Sequence, residues 1–97
     1  MNNTTLDKLR KEYGKLRETR ENYGTANLIF DLNDADSTYI KLCLQEQKAY
    51  KELKKAEVSE FKFNRLYAPV INYRIQNLEN RLSNLQFKNR RGASLWI

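Results

Sequence analysis

Ninety-seven residues allow one domain with a modest core, because a chain of that length buries only roughly 65% of the surface its unfolded form exposes. Eighteen basic against twelve acidic residues give a net charge of +6, and only three Gly and one Pro interrupt a polar sequence rich in Lys, Arg, Glu and Asn, a composition that favours long helices over a turn-rich β fold. The absence of His and the single Cys43 exclude Ser-His and Cys-His nucleophile pairs, an intrachain disulfide and a zinc site built by one chain.

The first helix is expected over about residues 5–23. Thr4 and Asp7 have capping-box spacing, and Leu6, Leu9, Tyr13, Leu16, Arg20 and Tyr23 follow in steps of three and four. Gly14 sits inside this helix at a cost of about 1 kcal/mol relative to Ala, so either another backbone approaches it or the helix is weak there. Gly24 offers the stop.

Residues 24–37 read as a connector. Asn27, Asn33, Asp34, Asp36 and Ser37 are turn and cap formers, whereas Leu28, Ile29, Phe30 and Leu32 are apolar enough to pack onto the helices. Three Asp and no base make residues 25–38 the acidic part of the chain. The acids do not match a calcium loop, since starting at Asp34 puts Tyr39 and Gln45 where Gly and Glu are required. They suit the N-terminus of the next helix instead.

That second helix is expected over about 38–57. It starts apolar on several faces (Tyr39, Ile40, Leu42, Cys43, Leu44) and thins to Ala49, Tyr50, Leu53 and Ala56 among lysines. Cys43 in such a run reads as a small buried hydrophobe. Residues 58–68 are ambiguous: Phe61, Phe63, Arg65 and Tyr67 alternate as in a strand, while Phe61, Arg65 and Ala68 share a helical face with Ser59 as a cap. A lone strand has no partner, so helix is expected, and Pro69 then opens the last helix or kinks a continuous one.

The last helix is expected over about 70–88. Ile71, Ile75, Leu78, Leu82 and Leu85 step by four, three, four and three, a narrow seam of the kind one helix presents to another. Tyr73 and Phe87 lie on the opposite face. Five bases against Glu79 make residues 71–97 the most basic segment, and Arg74, Arg81, Lys88, Arg90 and Arg91 are the candidate nucleic-acid contacts, able to neutralise phosphates without reading bases. The tail 89–97 closes on Leu95, Trp96 and Ile97 after a Gly92-Ala93-Ser94 link, an apolar end that is a liability unless it docks.

The expected fold class is therefore all-α, an elongated helical hairpin or a small bundle of three helices with a heptad-like C-terminal seam, in one domain 1–97. The expected function is non-catalytic assembly or interaction, because no residue set announces a catalytic, metal or cofactor site and no small-molecule substrate is implied. The interface is expected at Ile71, Ile75, Leu78, Leu82, Leu85, Leu95, Trp96 and Ile97, taking a protein partner or a second copy. Size, Asn and Lys content and missing site chemistry suit a small phage or mobile-element structural or accessory component. The alternatives are a small basic nucleic-acid-binding regulator and a protein inhibitor of a host factor. No apolar leader or membrane-length run is present, so the expected location is the cytoplasm or the inside of a virion or other large assembly.

Overall fold

The computed structural model describes the backbone of residues 3–95 and the side-chain surroundings of residues 5–86. Helix α1 spans Asn3–Ala26 and α2 spans Ser37–Glu57. A third rod then runs without interruption through a short α3 (Glu60–Lys62), a π-helical turn (Phe63–Tyr67) and α4 (Ala68–Leu95). No strand occurs among the described residues, and the all-α expectation holds.

Helix α2 is the middle of the molecule. Helices α1 and α4 each pack antiparallel on it and make no substantial contact with each other, so the helices form an open layer rather than a closed bundle. The extents of 58 × 29 × 20 Å and the radius of gyration of 16.3 Å express this directly, since a compact chain of this length has a radius of about 12.5 Å. A consequence is that the periodic face of α1 is only half-buried from Leu6 to Tyr23.

The core lies between α2 and α4. Ile40, Leu44 and Leu78 are buried with Ala35, and Ile29, Leu32, Tyr39, Cys43, Ile75, Leu82 and Leu85 pack around them. Further along the same contact, Leu53, Phe63 and Ile71 are also buried. The seam of α4 is thus covered by α2 of its own chain. Its heptad spacing reflects an intrachain antiparallel pair, because the apolar first turns of α2 supply the partner surface that the spacing requires.

Local chemistry sets the boundaries. Asp36 caps α2, its Oδ1 accepting the Tyr39 backbone N–H at 2.8 Å. Its Oδ2 accepts the Tyr23 hydroxyl at 2.7 Å, which ties the cap to α1. Ser59 caps α3 by accepting the Lys62 N–H. The backbone of Thr4 lies inside α1, which already includes Asn3. Gly24 does not stop the helix, because it continues to Ala26. The Leu28 N–H then bonds to the Thr25 carbonyl and the Ile29 N–H to the Gly24 carbonyl, closing the helix with Leu28 at φ 56°. This is the paired-bond C-terminal motif with leucine where glycine is usual. Gly24 is needed for another reason: a Cβ there would meet the Tyr39 ring at 3.0 Å.

Pro69 lies in the first turn of α4, as one of the two expectations had it, and the rod runs on through it. Its ring would press on the carbonyl of residue 65 in a regular helix, and the preceding turn is widened so that the Ala68 N–H bonds to Phe63 O instead. That turn directs Phe63 inward and leaves Phe61 outside. Helix α4 also runs through Gly92, Ala93 and Ser94, where a link was expected. A single Gly costs a helix about 1 kcal/mol and does not by itself end it.

Candidate interaction surfaces

Two kinds of surface stand out, one polar and internal to the layer, the other apolar and outward. The polar one lies where α1 and α4 diverge over α2, a recess of about 300 Å³ lined by Arg20, Cys43, Glu46, Gln47, Arg74 and Leu78 among others. Arg20 donates from Nε to Glu46 Oε1 and from Nη2 to Oε2 at 3.2 Å, while its Nη1 donates to the Tyr39 hydroxyl at 3.4 Å. The hydrogen bonds that Arg20 donates to Glu46 and, less strongly, to Tyr39 favour its guanidinium charge beyond the usual, against the opposing effect of burial. Glu46 is the one charged residue buried among those described.

The buried charges of this recess pair with each other, while Arg74 stands at its exposed rim. The Cys43 thiol is pushed up by burial, away from the thiolate that nucleophilic chemistry needs. Glu46 is committed to Arg20, so no free base faces that sulfur. The buried Gln47 Oε1 lacks a hydrogen-bond partner. The arrangement fastens α1 to α2 and offers no pairing of nucleophile and base.

Elsewhere the α1–α2 contact is made by aromatic and ionic pairs. Tyr13 meets Tyr50 with ring centroids 5.4 Å apart, and Tyr23 meets Tyr39 at 6.4 Å. Arg10 bridges to Glu57 at 3.3 Å, and Glu57 also receives Lys54 at 2.9 Å. Such half-wet contacts are individually weak, which fits the face of α1 being only half-buried against α2.

The outward surface is apolar and lies at two ends of the layer. On the rod, Phe61, Leu66, Val70 and Tyr73 are 72%, 57%, 47% and 71% exposed. Leu66, Val70 and Tyr73 follow at steps of four and three, which puts them on one side of the helix, turned from α2. At the opposite end, Leu28 and Phe30 of the connector are 70% and 83% exposed. Each large apolar side chain left in water forgoes roughly 1.5–3 kcal/mol of burial, so six on a chain this small form a notable surface.

The expected interface residues are distributed differently. Ile71 and Leu78 are buried, and Ile75, Leu82 and Leu85 half-buried, within the protomer itself. Leu95 ends the described α4 backbone without a described side chain, and Trp96 and Ile97 lie outside the described residues. Of the expected phosphate contacts, Arg74 is exposed. Arg81 turns inward: its Nη1 donates to the Leu32 carbonyl at 3.5 Å and its Nε is buried. Lys88, Arg90 and Arg91 lie on described backbone whose side chains are outside the described set. Sequence reasoning treated Tyr73 only as a second touched face, gave Leu66 no role, and expected all four connector apolars to pack onto the helices; Ile29 and Leu32 do so, whereas Leu28 and Phe30 face water because the left-handed turn at Leu28 carries them outward. Leu66 could have been found by its spacing to Val70 and Tyr73 once the rod was continuous.

No helix among the described residues is long and apolar enough to cross a membrane. Comparison of the chain with protein-family models, with curated proteins and with solved structures finds no match.

Proposed function

We propose that this protein is a non-catalytic helical assembly module, one that works by presenting surfaces to other macromolecules. The observation that carries this reading is the set of exposed apolar side chains, Phe30, Phe61, Leu66 and Tyr73 foremost, on an open and elongated layer. A protomer whose buried carboxylate is committed to an arginine, while its aromatics face water, has the chemistry of a component rather than of a catalyst. A virion or mobile-element accessory role belongs to this reading. The inhibitor of a host factor would use the same surfaces.

The test is the mass of the native species in extracts of cells that make the protein. The expected result is a complex well above the protomer's 11.6 kDa, dissociated by Phe30→Ser with Tyr73→Ser. A lone protomer in those extracts would refute the assembly reading.

Nucleic-acid binding is the weaker reading. Arg81 is engaged by the connector, which leaves Arg74 as the exposed cation among those expected contacts whose side chains are described. Weak, salt-sensitive binding that Arg74→Ala leaves unchanged would place any such activity on cations other than Arg74.

A further inference from the structure

We infer that copies of this chain associate head to tail, the connector of one copy seating on the outer stripe of the π-turn and α4 of the next. The inference rests on the assembly reading above and names the partner as a second copy. Both surfaces are apolar, and their charges are opposite. Around Leu28 and Phe30 stand the exposed carboxylates of Asp31 and Asp34. Neither carboxylate has an ion pair among the described residues, and the nearby Arg81 guanidinium is directed to the Leu32 carbonyl. Around Leu66, Val70 and Tyr73 stand the exposed Lys62 and Arg65, with the Arg65 guanidinium 5.8 Å from the centre of the Phe61 ring. The described acids of that rod point elsewhere. Glu60 lines a crevice with Lys55 of α2, and Glu79 one with Lys48 and Lys51 of α2.

Like surfaces therefore repel and unlike surfaces attract, which disfavours a two-fold contact of stripe with stripe or connector with connector. The two surfaces also lie at opposite ends of α2, separated by roughly 25–30 Å for the 18 or so residues between their levels. One chain cannot bring them together. A contact between unlike patches at opposite ends is heterologous, and it propagates into a filament or closes into a ring.

The backbone adds a second indication. Leu28 holds φ 56°, in the left-handed region that favours Gly, and its side chain points into water. The left-handed backbone serves the motif that closes α1, but glycine would serve it without strain; a leucine there adds only an apolar side chain displayed at the tip of the connector, which serves a contact. An anionic membrane would suit the stripe but would repel the acidic connector, and it leaves Leu28 and Phe30 unexplained.

The experiment is native mass spectrometry and light scattering of the full chain over a wide concentration range, with two variants. One is Phe30→Lys with Asp31→Lys, the other Leu66→Lys with Tyr73→Lys. All four positions are exposed, and circular dichroism verifies that both variants keep their helices. The wild type should give masses at successive multiples of 11.6 kDa, shortened by salt. Each variant alone should be monomeric, because each lacks one half of the contact. Their equimolar mixture should form a complex of two chains and no more, with the intact stripe of the first on the intact connector of the second. A wild-type dimer of fixed size unaffected by either variant would overturn the head-to-tail contact while leaving the assembly reading intact. So would a wild type monomeric in isolation that enters a larger complex only with a foreign protein or with anionic vesicles. If the variants misfold, a chain with the charges exchanged on both surfaces (Asp31→Lys, Asp34→Lys, Lys62→Glu, Arg65→Glu) should still assemble with itself but not with the wild type, and co-assembly with the wild type overturns the contact equally.

Discussion

Removing the carboxylate of Glu46 is the sharpest perturbation of the protomer. Arg20 would lose two of its three hydrogen bonds and keep only the 3.4 Å bond to the Tyr39 hydroxyl, with its side chain 24% exposed. Breaking a fully buried ion pair costs about 3–5 kcal/mol, and water reaching the partly exposed guanidinium reduces that to about 2–3 kcal/mol for Glu46→Leu. The reverse change, Arg20→Met, strands the more deeply buried partner and should cost at least as much. Replacing both (Arg20→Met with Glu46→Leu) removes the uncompensated charge, so the double variant should lie within about 1 kcal/mol of wild type and the coupling energy should exceed about 2 kcal/mol. Against a total stability of about 5–10 kcal/mol for a chain of this size, the single changes are conspicuous. Urea unfolding followed by far-ultraviolet circular dichroism measures all four corners of the cycle. Additive single effects, or a Glu46→Leu loss under about 0.5 kcal/mol, would show that the pair is a surface ornament and that α1 is held by its tyrosines.

Gly14→Ala should stabilise the protomer by about 0.5–1 kcal/mol in the same assay, because a Cβ at Gly14 meets nothing within 4 Å and only the helix-propensity gain remains. Leu28→Gly should stabilise the isolated protomer by up to about 1 kcal/mol by relieving the left-handed backbone, while weakening any self-association read by light scattering. Donation from the Tyr23 hydroxyl and then from the Tyr39 N–H holds the Asp36 carboxyl below its usual range, and Lys54 followed by Arg10 does the same for Glu57. Both folded pKa values lie below the unfolded ones, so their stabilisation is present above about pH 4–4.5 and is lost as pH falls through the lowered values; thermal melts from neutral to acid should fall there, and Asp36→Asn with Glu57→Gln should flatten that limb. Leu78→Asp should unfold the chain rather than merely dissociate it, since Leu78 lies in the core, and a variant that stays helical would refute that placement.

Helix existence was legible because three runs of apolar periodicity stand between obvious cap and turn formers. Asp36 and Ser59 announced their helices by residue type, and both side chains cap as expected. What could not be read was the partner of each stripe. A four-three seam has the same spacing whether it meets another chain or a neighbouring helix, so Leu78 and Ile71 looked outward in sequence and are buried in the fold. The π turn was invisible for a related reason: Pro69 signals a disturbance, but the extra residue that absorbs it carries no composition of its own. Gly24 signalled an end and marks a close approach of Tyr39, since a missing Cβ serves both purposes.

Once α2 occupies the seam of α4, the question of assembly moves from the middle of the helices to their ends. An open layer of three helices has two long edges, α1 and the rod, and α1 is already weakly held by half-wet tyrosines and ion pairs. A contact along the rod's outer stripe meets no competing intrachain partner, because that stripe faces away from α2. The connector complements it: the chain's most acidic segment displays two of its largest exposed apolar side chains, held out by a strained turn and anchored through Asp36 to both α1 and α2. A rigid donor and an uncontested acceptor at opposite ends of one elongated protomer are the physical requirement for directional growth, and neither depends on the seam that first drew attention in the sequence.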